Sequence, residues 1–188
     1  MAKLLEVKGL QAFSRENRAL SPIVNFELHE GEVLFLRGEN GAGKSTIMKT
    51  LLGLHKNYVG EFQIFPSKNE IQYLPQLGNL SFHLPLTLAD MLESPSNSPL
   101  LKGLDLNKKW NTASGGERQK VLFTSALMKQ PRILFLDEPF NHVDREAGLL
   151  LEESLGDYLK THPQTAMVLI SHRSLILDWP TVRFVEIR

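Results

Sequence analysis

Three stretches of the chain are apolar without interruption: residues 33–36, 133–136 and 166–170. A strand that is apolar at every position can be buried on both faces, which is the condition of a strand inside a parallel sheet. Further strands are predicted over 4–8, 23–28, 58–64, 71–74 and 182–187, from short apolar or alternating runs bounded by turn residues. Helical spacing occurs in three places. Ile47, Leu51 and Leu54 share one face of a helix over 47–54, and a longer helix is predicted over 115–128. Residues 144–160 set Leu149, Leu150, Leu151, Leu155 and Leu159 against Glu146, Glu152, Glu153 and Asp157, the pattern of an amphipathic helix with one wet face. From 77 to 113 the pattern breaks repeatedly, at Pro85, Pro95 and Pro99 and through Ser94, Ser96, Asn97 and Ser98. Only 87–93 reads there as a short helix, capped by Thr87 with Asp90 in third position. This segment is an insertion between two halves of one core. Alternating buried strands and helices predict a three-layer α/β core of mostly parallel strands.

Composition narrows the setting. A chain of 188 residues predicts a single domain, large enough to bury about 70% of the surface its unfolded form exposes. The absence of cysteine excludes disulfides and thiolate metal sites, and fits a reducing compartment. Lysine plus arginine equals aspartate plus glutamate at 21 each, so nothing in the net charge suggests a footprint for nucleic acid. Lys3, Glu6 and Lys8 interrupt the N-terminal apolar residues too early for a secretory signal. No window approaches the roughly 20 apolar residues of a membrane helix. Work at a membrane would therefore go through a partner.

The chemistry is concentrated after the first unbroken strand, where Gly38-Glu39-Asn40-Gly41-Ala42-Gly43-Lys44-Ser45-Thr46 matches G-x-x-x-x-G-K-[ST]. Strand, glycine loop and helix in that order make a phosphate-binding loop: glycines let backbone N–H groups turn toward a polyphosphate, and the helix N-terminus adds about half a positive charge. Lys44 would reach the β- and γ-phosphates and the Ser45 hydroxyl would bind Mg²⁺. In such sheets ligands bind at the carboxyl ends of the strands, so polar residues just past those ends carry the next expectations. Asp137 is placed to hold Mg²⁺, Glu138 to polarise an attacking water, and His172 to hydrogen-bond the γ-phosphate and that water; the Gln76 amide could contact either the metal or the water. Ser114-Gly115-Gly116-Glu117 is a capping box at a helix start and also a second anion site, one that a second copy of the chain could use.

These motifs, in this order from about residue 4 to His172, resemble the nucleotide-binding subunits of the ATP-binding cassette family. The resemblance implies a P-loop NTPase core (residues 1–76 and 130–188) with an antiparallel β subdomain, and a short helical insertion subdomain (77–129) carrying the signature. It implies a head-to-tail dimer, with a second copy or a homologous subunit, closing on two Mg²⁺-ATP. Each ATP would be held by one subunit's phosphate loop and by Ser114 and Gly116 of the other. Glu138 would be the general base, His172 the residue sensing the γ-phosphate, and Phe13 either an aromatic stacked on adenine or a core residue after a strand. Departures are Ala113 where the signature usually opens with Leu, Glu117 where it often has Gln, and Asn141-His142-Val143-Asp144 in place of Ser-Ala-Leu-Asp, which puts coupling between the two sites in doubt. Leu84-Pro85-Leu86-Thr87-Leu88 and the short insertion are similar to the ATPase subunits of zinc- and manganese-type importers. The expected role is a transporter motor docked on integral membrane subunits beside Gln76 and residues 77–93, with no regulatory domain after His172. A soluble cassette ATPase driving assembly of a cofactor or protein complex, and a slow nucleotide-gated regulatory module, are the alternatives.

Overall fold

The computed structural model describes residues 1–76, 85–141, 143–172, 179 and 181–188. Among these residues eight strands and three α-helices follow one another as β1 (Lys3–Ala12), β2 (Val24–His29), β3 (Val33–Arg37), α1 (Lys44–Leu51), β4 (Tyr58–Ile64), β5 (Ile71–Leu74), α2 (Gly115–Met128), β6 (Ile133–Asp137), α3 (Arg145–Thr161), β7 (Ala166–Ile170) and β8 (Val182–Glu186). The strands form two sheets: an antiparallel one in the order β2-β1-β4, and a five-stranded one in the order β5-β6-β7-β3-β8 in which every pairing is parallel.

The unbroken apolar runs are the middle of the parallel sheet. Every residue of β6 and β7 is buried, as are the first four of β3. Because side chains alternate across a strand, each of these runs feeds two cores. On one face Leu34, Leu36, Ile133, Phe135, Val168 and Ile170 pack with Ile47, Met48 and Leu51 of α1 and with the inner residues of β1 and β2. On the other, Val33, Phe35, Leu134, Leu136, Met167 and Leu169 pack with Phe123 of α2 and with Leu151, Leu155 and Leu159 of α3. The molecule is thus layered as antiparallel sheet with α1, parallel sheet, then α2 with α3. A third, smaller cluster of Leu88, Leu101, Trp110, Ala113 and Val121 holds the insertion together. Ala113, small where a leucine was expected, is buried in that cluster.

Three expectations are corrected. Helix α1 ends at Leu51, and Leu54 is 65% exposed instead of sharing a buried face. The Gly53 N–H donates to Thr50 O at 2.9 Å and the Leu54 N–H to Lys49 O at 2.8 Å, bonds that close the helix and send the chain away. Glu152, assigned to the wet face of α3, is fully buried, and its carbonyl accepts a hydrogen bond from Trp179 Nε1 at 3.2 Å. Leu150 is only half-buried, whereas Glu153 and Asp157 are exposed as expected. Residues 87–93 form no α-helix but a single 3₁₀ turn, Ala89–Met91. Its predicted cap survives: the Thr87 N–H and hydroxyl both donate to Asp90 Oδ2, and the Asp90 N–H donates back to Thr87 Oγ1 at 3.3 Å.

Phe135 is fully buried in the middle of β6, between β5 and β7. Its replacement by alanine is expected to cost about 3–5 kcal/mol of unfolding free energy. Leu54→Ala, at an exposed position, should stay within about 0.5 kcal/mol. Urea denaturation of the two variants measures both.

Candidate functional site

The parallel strands end in register. Leu36 lies opposite Ile170, Asp137 opposite Ile170, and Leu74 opposite Leu136. The residues that leave these strands, Gly38 after β3, Gln76 after β5, Glu138 after β6 and His172 after β7, therefore emerge on one edge of the sheet. Gln76, Glu138, His172 and the loop that follows Gly38 line a cleft of about 320 Å³.

The loop from Gly38 to Gly43 forms one wall. Two of its glycines are demanded by their surroundings. Gly43 has φ +89°, and a β-carbon there would stand 2.1 Å from the carbonyl oxygen of Leu20; Gly38 has φ +152°, and its β-carbon would stand 2.3 Å from Ile187 O. The loop is thus wedged between the backbone of residues 20–21 and the end of β8. Lys44, the first residue of α1, is 6% exposed, and its ammonium donates to Gly38 O and Glu39 O at 2.8 Å each. The side chain is folded back across the loop, with its charge held by these two loop carbonyls.

Beneath the loop, Ser45 Oγ donates to Asp137 Oδ1 at 2.8 Å. Two hard oxygens at that separation suit Mg²⁺, since neighbouring ligands of an octahedral ion with bonds of roughly 2.0–2.1 Å lie about 2.9 Å apart. Ser45 and Asp137 would hold the ion, with the Gln76 amide on the rim of the same cleft. The other oxygen, Asp137 Oδ2, accepts from the Tyr73 hydroxyl at 3.5 Å. Burial, and then the negative charge of Asp137, push the Tyr73 phenol up to about 12.

Glu138 adopts φ +52°, an uncommon conformation for a residue with a β-carbon, and its N–H donates to Ile170 O at 2.9 Å. The turn aims a buried carboxylate back toward the loop. There Oε1 lies 3.1 Å from His172 Nε2, and Oε2 accepts from the His172 N–H at 3.3 Å. His172 is half-exposed at the mouth, so the pair spans the distance from the buried strand end to solvent.

Asn40, Gly41, Ala42, Gly43, Lys44, Ser45, Thr46, Gln76, Glu138 and His172 all line this one cleft, and Gly38 and Asp137 adjoin it through Lys44 and Ser45. Phe13 does not line it. It bridges to Ala19, its N–H donates to Asn57 O at 2.8 Å, and Leu20 is the residue of that neighbourhood at the cleft. Ser114 and Gly116 also lie elsewhere. Ser114 is exposed and caps α2, its oxygen accepting from the Glu117 N–H at 3.1 Å while Glu117 accepts from the Ser114 N–H. Lys108, at 2.8 Å, holds the Glu117 carboxyl below the usual range. Gly116 is buried against Ala147 and Asp144, and Asp144 caps α3 by accepting from the Ala147 N–H at 2.8 Å. His142 of that stretch, and residues 77–84 of the expected docking groove, lie outside the described residues. Leu20 at the cleft and Tyr73 behind Asp137 are neighbours that the motifs did not flag, and each arrives through a contact between segments distant in sequence; Asn141, the first residue of the 141–144 stretch, lines the cleft three residues after Glu138.

The family model described as "ABC transporter" matches residues 22–141 of this chain. The zinc import ATP-binding protein ZnuC of Acinetobacter baylyi is 36% identical over 178 residues, covering 84% of this chain and 64% of the relative. That of Psychrobacter arcticus is 33% identical over 184 residues, covering 91% and 74%. The chain thus spans between about two thirds and three quarters of these relatives. Among solved structures, an ATP-binding subunit of an ABC transporter superposes with a TM-score of 0.73 at 27% identity, covering 90% of this chain and 79% of the other. A dimeric ATP-binding cassette in a post-hydrolysis state, bound to ADP and Pi, shares the fold with a TM-score of 0.71 at 23% identity, covering 90% and 88%.

Gly43→Ala should be destabilised by more than about 1 kcal/mol, because the positive φ and the Leu20 carbonyl both oppose a side chain. Thermal unfolding measures the loss, and ATP titration should show weakened binding by the variant.

Proposed function

The chain belongs to the ABC transporter family, and from that premise we propose that it is an ATP-binding and ATP-hydrolysing motor subunit, one that drives movement of a substrate through separate membrane subunits. The observation that carries this reading is the convergence of Lys44, Ser45, Asp137, Glu138 and His172 on one sheet edge. The Lys44 ammonium, lent to two loop carbonyls, turns to the β- and γ-phosphates when ATP enters, and the N-terminus of α1 adds its dipole to the same charge. Ser45, Asp137 and Gln76 would hold Mg²⁺, which would supply positive charge beside the phosphates. Glu138 accepts a proton from a water positioned in line with the γ-phosphate. His172, bonded to both carboxylate oxygens through its ring and its N–H, fixes Glu138 and presents its other face to the phosphate.

One chain provides half of the enclosure. Ser114 is exposed at the N-terminus of α2, away from its own cleft, where it can complete the site of a second copy in a head-to-tail dimer closed by two ATP. The whole chain, 1–188, acts as one ATPase domain in this reading, with 77–129 as the arm that carries Ser114 and Gly116. No helix among the described residues is long and apolar enough to cross a membrane. In this reading the chain works at the cytoplasmic face through an integral membrane partner. The two relatives described above are named for zinc import, which favours a divalent metal as the cargo; the metal passes through the partner subunits and does not touch this chain.

Glu138→Gln is expected to bind ATP normally, to hydrolyse it at least about 100-fold more slowly, and to accumulate as a closed dimer. Chromatography with ATP and a phosphate-release assay check both, and hydrolysis at the normal rate would remove Glu138 as the base. Lys44→Ala should lose nucleotide binding in a direct titration. Affinity purification from native membranes should bring down an integral membrane subunit; recovery of soluble partners alone would favour the assembly ATPase.

A further inference from the structure

Asp137 does not offer two equivalent oxygens. Oδ1 faces Ser45 Oγ at 2.8 Å, on the side of the cleft, while Oδ2 is engaged from behind by the Tyr73 hydroxyl at 3.5 Å. The placement of that hydroxyl follows from the sheet. Tyr73 on β5 is in register with Phe135 on β6, two residues before Asp137, so Tyr73, Phe135 and Asp137 share one face. The ring packs against the cluster between the two sheets, and this sets the height at which the hydroxyl meets the carboxylate. Tyr73 is not among the residues that line the cleft.

A carboxylate with one oxygen tied to a donor presents a single oxygen to a cation. Mg²⁺ demands compact octahedral geometry with one-oxygen carboxylate ligands, whereas Ca²⁺ takes six to eight oxygens and readily accepts both oxygens of one carboxylate. We propose that Tyr73 is a positioning residue that turns Asp137 into a one-oxygen ligand, and so biases the site toward Mg²⁺ and against Ca²⁺. The phenol acts only as a donor in this role.

The proposal rests on the reading of this cleft as a Mg²⁺-ATP site, and the test separates the two. Tyr73→Phe removes one oxygen and keeps the packing. ATP binding to wild type and variant is followed by calorimetry in EDTA, and then as Mg²⁺ or Ca²⁺ is added. In EDTA the two proteins should bind ATP alike. The variant should need roughly 10-fold more Mg²⁺ to reach half of the cation-dependent gain, the size of effect seen when a partner of a metal ligand is removed. Its Ca²⁺ midpoint should stay or fall, so that the preference for Mg²⁺ over Ca²⁺ shrinks by at least the same factor. Equal Mg²⁺ midpoints and an equal Mg²⁺/Ca²⁺ ratio in the two proteins would overturn the role of Tyr73 alone. A wild-type protein whose ATP binding ignores both cations would overturn the metal site itself, and this proposal with it. If Tyr73→Phe does not fold, wild-type protein labelled with ¹³Cζ-tyrosine gives the answer: the Tyr73 resonance must shift on adding Mg²⁺ to the ATP-bound protein, and an unmoved resonance overturns the proposal.

Discussion

Strands β5, β6, β7 and β3 are held in parallel register by a core on each face, and a slip of one residue in any of them would turn apolar side chains to the wrong layer. That constraint fixes where each strand stops. Arg37 is opposite Glu186, Leu36 opposite Ile170, and Asp137 opposite Ile170, so the polar residues that follow have one edge at which to emerge. The cleft is a consequence of the register. Its chemistry depends on loops, and the loops depend on strand ends that cannot move independently.

The phosphate loop is anchored to the antiparallel sheet as well as to the parallel one. Gly43 touches Leu20 O, in the segment between β1 and β2, and Gly38 touches Ile187 O beyond β8. Both approaches are backbone against backbone, closer than any side chain would permit. They leave the loop few ways to relax, which is what a site needs if its N–H groups are to point at a phosphate before one arrives. Glu138 shows the same economy in another form. Its φ of +52° costs of order 1–3 kcal/mol, and the bonds to Ile170 O and to His172 hold the residue there.

Where periodicity and local chemistry agreed, the sequence was a sufficient guide. Strands 58–64 and 71–74 and the helix 115–128 lie at their predicted bounds, because turn residues and the Ser114 capping box mark their ends within a few residues. Agreement failed where a neighbour distant in sequence intervened. Glu152 was placed on the wet side of α3 by spacing, but Trp179 covers that position. Leu54 continues the apolar spacing of α1, yet the helix closes before it at Gly53. Thr87 and Asp90 form their cap, and the helix it announces lasts one 3₁₀ turn, since the insertion packs around Trp110 and Leu101 and has no long face to cover.

The sequence by itself determined the phosphate loop, the acidic pair at 137 and 138, and the positions of Gln76 and His172, because each is a polar residue at the end of an apolar strand and that arrangement is local. It also determined the family, through the order of those motifs. Only the tertiary structure decided that Leu20 faces the same cleft, that Phe13 is not among the residues lining it, that Gly116 is buried under α3, and that Tyr73 stands behind Asp137. These are contacts between segments tens of residues apart. They are set by strand order and register, which follow from the packing of the whole chain and leave no mark within any short window of it.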